Sequence, residues 1–278
     1  MLSIESGAAL PEAENAGEGL ALKLSRTMLR TVGEWDLIRD GDLILVAVSG
    51  GKDSYTLLDL LWRARRRAPV EFELIAYHLD QGQPGYDGSA LREWLEAFGA
   101  PFEIAREDTY SPVIENARDD AGTLYCRLCS RLHRGVLYTA ARRLGCNKIA
   151  LGHHRDDSLE TLLLNLFYSG RLQAMPAIYT TNDGDLEVLR PLIECGETSI
   201  ARHAEQRGFP ILPCNLCGSQ SDLKRVEIKR LLTDLEQKIP NVRQVMTAAL
   251  KNVRPSHLLD AEVARAWLGQ ADRFKARR

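Results

Sequence analysis

The chain has 278 residues, of which 45% are hydrophobic and 27% are charged, and its formal net charge is −2. These values are typical of a soluble globular protein with a substantial core, and they exclude a chain that is basic throughout. No apolar run approaches the roughly 18 residues that span a bilayer, and the N-terminal residues lack a basic-then-apolar signal, so we expect a cytoplasmic location and no membrane partner.

The elements predicted in chain order begin with an acidic tail at residues 1–18, which we expect to be disordered. From Leu20 to Trp35, apolar residues recur at helical spacing. Strands are predicted at 43–48, 72–78, 102–105 and 148–152, with helices after them at 54–67, 88–98, 131–144 and 156–168. A further strand at 186–192 precedes another helix, and helical periodicity returns at 223–237 and 241–253.

This alternation predicts an α/β fold with a doubly wound parallel sheet. The strands are rich in valine, isoleucine and leucine, which is typical of parallel strands covered by helices on both faces. We therefore predict one α/β domain over 19–212, which includes a first pair of cysteines. A second cysteine pair and a helical C-terminal extension would occupy 213–278.

The stretch S-G-G-K-D-S, from Ser49 to Ser54, lies where the first strand gives way to its helix. Ligands of parallel sheets bind outside the carboxyl ends of strands. Gly50 and Gly51 permit positive φ and a close approach to the backbone, and the helix N-terminus offers unpaired N–H groups. Lys52 adds a positive charge. The stretch therefore predicts a phosphate-binding nest, with an ordinary tight turn as the alternative.

S-G-G-K-D-S resembles the pyrophosphate loop of the PP-loop ATP pyrophosphatases, which cleave ATP between its α- and β-phosphates. The resemblance implies a second element, and A-L-G-H-H-R-D-D at 150–157 resembles it. Asp156 or Asp157 would either cap the following helix or hold Mg²⁺ on the phosphates. His78 and Asp80, at the end of the second strand, would flank the nucleotide.

Four of the six cysteines form two C-x-x-C pairs, Cys126 with Cys129 and Cys214 with Cys217. Disulfides are disfavoured in the cytosol, so the pairs indicate a metal or redox site. Spacing alone leaves a structural four-cysteine zinc site and an iron–sulfur cluster equally open. The two remaining thiols, Cys146 and Cys195, are expected in the core or on the surface.

Together with R-P-L at 190–192 and V-R-P-S-H-L at 253–258, these motifs resemble the tRNA 2-thiocytidine synthetases over about residues 20–260. The resemblance implies a Rossmann-like fold of the PP-loop type, also called adenine nucleotide alpha-hydrolase-like. It also implies a 4Fe-4S cluster on Cys126, Cys129 and Cys217 that leaves one iron open. Cys214 would lie close to the cluster without ligating it.

The resemblance further implies that ATP and Mg²⁺ activate the C2 oxygen of cytidine 32 in the tRNA anticodon loop, which sulfur then replaces. Lys52, Asp53 and Asp157 would be catalytic. The nucleotide would be bound by the residues of the loop and two histidines: Ser49, Gly50, Gly51, Lys52, Asp53, Ser54, His78 and His153. A cysteine desulfurase or another sulfur donor and a homodimeric partner are also implied. The alternatives are a tRNA 2-thiouridine sulfurtransferase and a zinc-stabilised RNA- or protein-binding module.

Arginines are clustered at 63–67, 127–134 and 142–143. Such clusters are either solvated helix faces or contacts for RNA phosphates. The resemblance to tRNA-modifying enzymes favours phosphate contacts by the groups at 63–67 and 131–143, and charge removal at Arg134, Arg142 and Arg143 would test them.

Overall fold

The computed structural model describes residues 12–115, 123–212 and 223–268, with the backbone alone at 12–18, 123–127 and 223. They form two compact units that divide after Arg230, and each unit is described by itself. The predicted division into 1–18, 19–212 and 213–278 stays a prediction.

The first unit is built on a six-stranded sheet in the order β3-β2-β1-β4-β6-β5. All neighbours pair in parallel except β5, which runs antiparallel to β6. The bounds are β1 Asp42–Ala47, β2 Phe72–Asp80, β3 Phe102–Arg106, β4 Lys148–Ala150, β5 Ile178–Thr180 and β6 Glu187–Leu189. The sequence analysis missed β5, because three residues are too short to show a strand periodicity.

The helices of this unit are α1 Glu12–Glu34, α2 Lys52–Arg65, α3 Ser89–Phe98, α4 Tyr110–Glu115, α5 Thr123–Arg143, α6 Arg155–Tyr168 and α7 Glu197–Arg207; α8, Leu223–Lys238, continues past the division. Helix α1 begins inside the segment expected to be a disordered tail, since residues 12–18 are mainly glutamate and alanine, which favour helix. Helix α5 begins eight residues before the predicted start, so the first cysteine pair lies on the helix itself.

Apolar side chains cover both faces of the sheet, which confirms the doubly wound α/β prediction. On one face, residues of β1 and β2 pack with α1, α2, α3 and α7, as Met28, Leu58 and Ile200 illustrate. On the other face, α5 packs on the sheet through residues such as Leu137 and Ala141. Tyr55, Trp94 and Phe209 form an aromatic cluster on the first face.

A buried ionic group joins the amino ends of three strands. Lys148 of β4 lies 2.9 Å from Asp42 Oδ2 of β1 and 3.2 Å from Glu187 Oε2 of β6. Burial would raise the pKa of Asp42, but hydrogen bonds from the Arg39 N–H and from Lys148 lower it below its usual value. This group aligns β1, β4 and β6, so their carboxyl ends meet at one edge.

A second buried group joins α2 to α7. Asp59 Oδ2 lies 3.0 Å from His203 Nε2, and both side chains are 1% exposed. Arg63 and Arg207 contact the other oxygen of Asp59 at 2.9 and 3.2 Å. The group fixes α7 against α2 on the sheet face that carries the aromatic cluster.

The second unit continues α8 and adds α9 at Val242–Lys251, a short 3₁₀ turn at Pro255–His257 and α10 at Ala261–Leu268. Inside it, Arg243 on α9 is buried and pairs with Glu236 at 2.9 Å. None of the helices in the described part of the chain has the length and apolar character needed to cross a membrane.

Candidate active site

The loop between β1 and α2 has one glycine that its backbone requires. Gly50 has φ of +85°, and its carbonyl accepts a 2.9 Å hydrogen bond from the Leu212 N–H. A Cβ at position 50 would lie 2.8 Å from Leu212 Cδ1. Gly51 has φ of −86°, so Gly50 adopts the positive φ that both glycines permit and Gly51 does not. A Cβ at Gly51 would meet only Ser49 Oγ, at 3.5 Å.

The two serines close this loop. Ser54 Oγ accepts from the Ser49 N–H at 3.1 Å and donates to the Gly51 carbonyl at 2.9 Å. The Gly51 N–H in turn donates to Ser49 Oγ at 3.3 Å. Gly51 is the N-cap of α2 and has no side chain with which to cap the helix, so the positive end of the helix dipole is available to an anion.

Lys52 contacts two carboxylates, with its Nζ 3.1 Å from Asp53 Oδ2 and 3.3 Å from Glu197 Oε1. Burial disfavours the charge on Lys52, but Asp53 and Glu197 outweigh it and raise the pKa of this lysine above its usual value. Asp53 Oδ1 is buried and has no hydrogen-bond partner among the described residues. A carboxylate oxygen with free lone pairs beside the predicted phosphate nest is suited to a divalent cation.

The end of β4 meets the start of α2. A Cβ at Gly152 would lie 3.0 Å from the Asp53 carbonyl carbon and 3.1 Å from the Ser54 nitrogen. The predicted second element therefore adjoins the loop. His154 caps α6: Asp157 N–H donates to His154 Nδ1 at 3.4 Å, and His154 N–H donates to Asp157 Oδ2 at 2.9 Å.

Of the two aspartates weighed for a cap or for Mg²⁺, Asp157 forms the capping box with His154. Asp156 is buried, and its Oδ2 accepts a 2.8 Å hydrogen bond from the Glu197 N–H at the start of α7. Both aspartates therefore position helices, whereas Asp53 Oδ1 has no hydrogen-bond partner among the described residues.

His78 lies beneath the loop with both ring nitrogens in contact. Its Nδ1 is 2.7 Å from the Val48 carbonyl and its Nε2 is 2.5 Å from the Tyr86 hydroxyl. Burial lowers the pKa of His78, against the opposing effects of Val48 and Asp80. Asp80 accepts from the Gly82 N–H at 2.9 Å and so shapes its own turn. His78 is therefore neutral and contacts the backbone of Val48, the residue that precedes the loop.

His153 differs from His78 because its Nδ1 is buried without a hydrogen-bond partner among the described residues. Burial, together with the charge of Arg190, lowers the pKa of His153 well below its usual value, so the ring is neutral at pH 7. Arg190 is itself buried, donates to the Pro176 carbonyl at 2.8 Å and lies 5.1 Å from the Tyr179 ring centroid. His153 Nδ1 and Arg190 Nε are therefore both buried without a hydrogen-bond partner among the described residues.

The first cysteine pair approaches the same edge through α5. Cys129 Sγ lies 3.7 Å from Oε1 of Gln81, which follows β2 directly. The side chain of Cys126 and the whole second pair at Cys214 and Cys217 lie outside the described residues. Where side chains are described, no three His, Cys, Asp or Glu residues converge closely enough to hold a metal ion.

The other two thiols belong to the core. Cys146 and Cys195 are 4% and 2% exposed. Burial raises the pKa of Cys146 to about 11 and that of Cys195 to about 12, so both are protonated and unreactive at neutral pH.

The arginines of α5 divide between the two edges of the sheet. Arg142 pairs with Asp183 and Asp185 at 2.6 Å, and Arg143 pairs with Glu103. All of these lie at the amino ends of the strands, opposite the loop at 49–54. Arg131 and Arg134 are exposed earlier on α5, toward the carboxyl edge. The expectation that Arg142 and Arg143 contact tRNA is therefore not supported, because acidic partners already neutralise them.

Two residues of the site went unrecognised in the sequence analysis. Glu197 contacts both Lys52 and Lys229 of α8, at 3.3 and 2.9 Å. The only local signal was an acidic residue in the first turn of α7. Nothing in sequence spacing brings Lys229 to that position.

Comparisons with known proteins agree with this geometry. The PP-loop domain family matches residues 21–212. The tRNA-cytidine(32) 2-sulfurtransferase of Sorangium cellulosum is 54% identical over 87% of this chain and 84% of that protein. The protein of the same name from Chromohalobacter salexigens is 50% identical over 86% of this chain and 84% of its own length.

A solved structure shares the fold. It is the U34-tRNA thiolase NcsA from Methanococcus maripaludis with its [4Fe-4S] cluster, and it superposes with a TM-score of 0.65 at 21% identity. The match covers 86% of this chain and 81% of that one. It confirms the α/β architecture predicted from the alternation of strands and helices.

Proposed function

Because the chain belongs to the tRNA-cytidine(32) 2-sulfurtransferases of the PP-loop family, we propose that it replaces the C2 oxygen of cytidine 32 in tRNA with sulfur, at the expense of ATP. The observation that carries the proposal is a meeting of two motifs. The phosphate nest at Ser49–Ser54 and the helix of the first cysteine pair lie at the same edge of one sheet.

The nest fits the β,γ-pyrophosphate of ATP. Gly50 allows the close approach, the uncapped N-terminus of α2 faces the anion, and Lys52 supplies a full charge. We assign Mg²⁺ to Asp53, since its Oδ1 is a buried carboxylate oxygen without a hydrogen-bond partner among the described residues. Asp157 acts through the cap of α6, which holds His154 3.6 Å from Asp53 Oδ1.

In the first half-reaction, the C2 oxygen of cytidine attacks the α-phosphorus of ATP and the bond to the β-phosphate breaks. Negative charge develops on the departing pyrophosphate, where Lys52 and the α2 N-terminus stabilise it. The serines Ser49 and Ser54 preserve the loop geometry in which this contact is made. Sulfur then attacks C2, and AMP departs with the former C2 oxygen.

His78 and His153 would flank the nucleotide as neutral rings. Burial lowers the pKa of each, so neither adds a positive charge at pH 7. His78 supports the loop through the Val48 carbonyl, whereas the free Nδ1 of His153 is available to the ligand.

Cys126, Cys129 and Cys217 would hold a 4Fe-4S cluster whose open iron supplies the binding site for sulfur. Cys129 supports this assignment by its place beside the loop that follows β2. Cys214 would line the pocket. A cysteine desulfurase or another donor would deliver the sulfur, and the protein would act in the cytoplasm as a homodimer.

The test is thiolation of tRNA by the anaerobically prepared protein, with products followed by nucleoside mass spectrometry and nucleotide chromatography. Lys52→Ala should lower the rate by about two to three orders of magnitude, because it removes the charge that meets the leaving group. The exposed Lys23→Ala is the matched control and should keep the wild-type rate.

The products distinguish the alternatives. AMP, pyrophosphate and 2-thiocytidine support the proposal. ADP would indicate a different phosphoryl transfer. A 2-thiouridine product would move the substrate to uridine, and near-normal thiolation by Lys52→Ala would overturn the assignment of the loop.

A further inference from the structure

Helix α8 is joined to the phosphate-binding loop by one carboxylate. Glu197 lies between two lysines, with Oε1 3.3 Å from Lys52 Nζ and Oε2 2.9 Å from Lys229 Nζ. Lys229 Nζ also reaches Oε1 at 3.1 Å. Lys52 belongs to the loop and Lys229 to α8, so Glu197 is shared between the nucleotide site and this helix.

The backbone of Glu197 is anchored by a buried partner. Its backbone N–H donates to the buried Asp156 at 2.8 Å, which fixes the first turn of α7 against α6. Its side chain is 27% exposed. Burial would raise the pKa of Glu197, but Lys229 and Lys52 lower it below its usual value, so the carboxylate is ionised at neutral pH.

The chain on both sides of the second cysteine pair contacts this site. Before the pair, Leu212 lies over Gly50 and bonds to its carbonyl. After the pair, α8 contacts Glu197 through Lys229, and Arg225 lies 3.7 Å from the buried Glu160 of α6. Helix α8 is the first described element after residues 213–222.

We propose that Glu197 is a positioning residue that couples the binding of ATP phosphates to the docking of α8. Phosphates that bind at the loop draw Lys52 toward themselves and leave Glu197 as a negative charge close to other negative charges. Lys229 neutralises that charge when α8 is docked. Docking of α8 therefore favours nucleotide binding, and bound nucleotide must favour docking by the same factor.

This coupling rests on the proposed function only in that phosphates bind at residues 49–54. The pairs involved are partly exposed, so we expect a modest factor of about two- to fivefold.

A double-mutant cycle tests the inference, with affinity for a non-hydrolysable ATP analogue measured by calorimetry on the full-length, anaerobically prepared protein. Lys229→Gln should weaken binding about two- to fivefold in the wild-type background, because Glu197 is then left unneutralised. In the Glu197→Gln background the same change should have no effect. Lys229→Arg keeps the charge and should bind the analogue as the wild type does.

Lys224→Gln is the matched control, since it removes one charge from the same helix at a residue that lies over the Tyr168 ring instead. It should leave affinity unchanged. Hydrogen exchange gives the reciprocal measurement: the analogue should slow exchange of α8 amides in the wild type and not in Glu197→Gln. Equal weakening by Lys229→Gln in both backgrounds would reduce Lys229 to a long-range charge and overturn the coupling.

Lys52→Ala separates this inference from the proposed function. If Lys52→Ala binds the analogue as tightly as the wild type, the loop is not the phosphate site and the proposed function fails. If Lys52→Ala loses binding but Lys229→Gln does not depend on Glu197, only the coupling fails.

Discussion

The contact between Gly50 and Leu212 predicts that the same substitution has unequal costs at two glycines that flank β1. Gly41 precedes β1 with φ of +80°, and Gly50 follows it with φ of +85°. An alanine at either position bears the cost of a left-handed backbone, about 1–2 kcal/mol. At Gly41 a Cβ would meet no atom of the described residues within 4 Å, whereas at Gly50 it would meet Leu212 Cδ1 at 2.8 Å and Leu212 Cβ at 3.0 Å.

We therefore expect Gly41→Ala to lower the free energy of unfolding by about 1–2 kcal/mol. Gly50→Ala adds an overpacking cost of about 1–3 kcal/mol, for a total of about 2–5 kcal/mol, because Leu212 must move away. The assay is urea unfolding without nucleotide, followed by circular dichroism. Gly51→Ala is the third variant and should cost less than about 1 kcal/mol, since its φ is already negative.

Binding of the ATP analogue gives a second measurement on the same three variants. Gly50→Ala and Gly51→Ala should weaken binding, because both place a methyl group in the loop that approaches the phosphates, while Gly41→Ala should not. An equal unfolding cost for Gly41→Ala and Gly50→Ala would refute the reasoning, since it would mean that Leu212 does not press on the loop.

Three further predictions concern other parts of the molecule. Arg134→Gln should reduce the slope of log tRNA affinity against log salt concentration by about 0.7–0.9, the value for one lost phosphate contact. Arg142→Gln should leave this slope unchanged, because Arg142 is already paired with acidic residues. Burial would raise the pKa of Asp59, but hydrogen bonds from His203 and Arg63 outweigh it and lower this pKa below its ordinary 3.8. The ionised carboxylate therefore stabilises the fold above pH 3.8, and this stabilisation is lost as the pH falls through the lowered pKa. Asp59→Asn should lower the free energy of unfolding by about 2–4 kcal/mol at pH 7 and weaken its dependence on acid pH. Iron and sulfide analysis of reconstituted variants should show that Cys217→Ala loses the cluster and that Cys214→Ala retains it. If both variants lose metal equally and the native protein contains zinc, the cysteines form a structural zinc site instead.

The sequence by itself determined the class of fold and predicted where the nucleotide loop lies. Apolar strands that alternate with helical periodicity can bury both faces only in a sheet covered on each side, and the structure has that sheet. The loop at 49–54 was recognisable because glycines, a lysine and hydroxyls next to a strand end are local features of the chain. The strand β5 was missed because its three residues are too few to show a local pattern.

Only the tertiary structure decided how the polar residues divide their work. Gly50 differs from Gly51 because Leu212 lies over one of them, and Asp157 caps a helix while Asp53 keeps an open oxygen. Arg142 is neutralised by acidic residues that approach it from the turn before β6. These outcomes depend on which distant segments meet at an edge of the sheet. The contacts between distant segments decide which partners a side chain has, and therefore its charge and its free lone pairs. Local sequence spacing does not reveal these partners, as the contacts of Glu197 with Lys52 and Lys229 show.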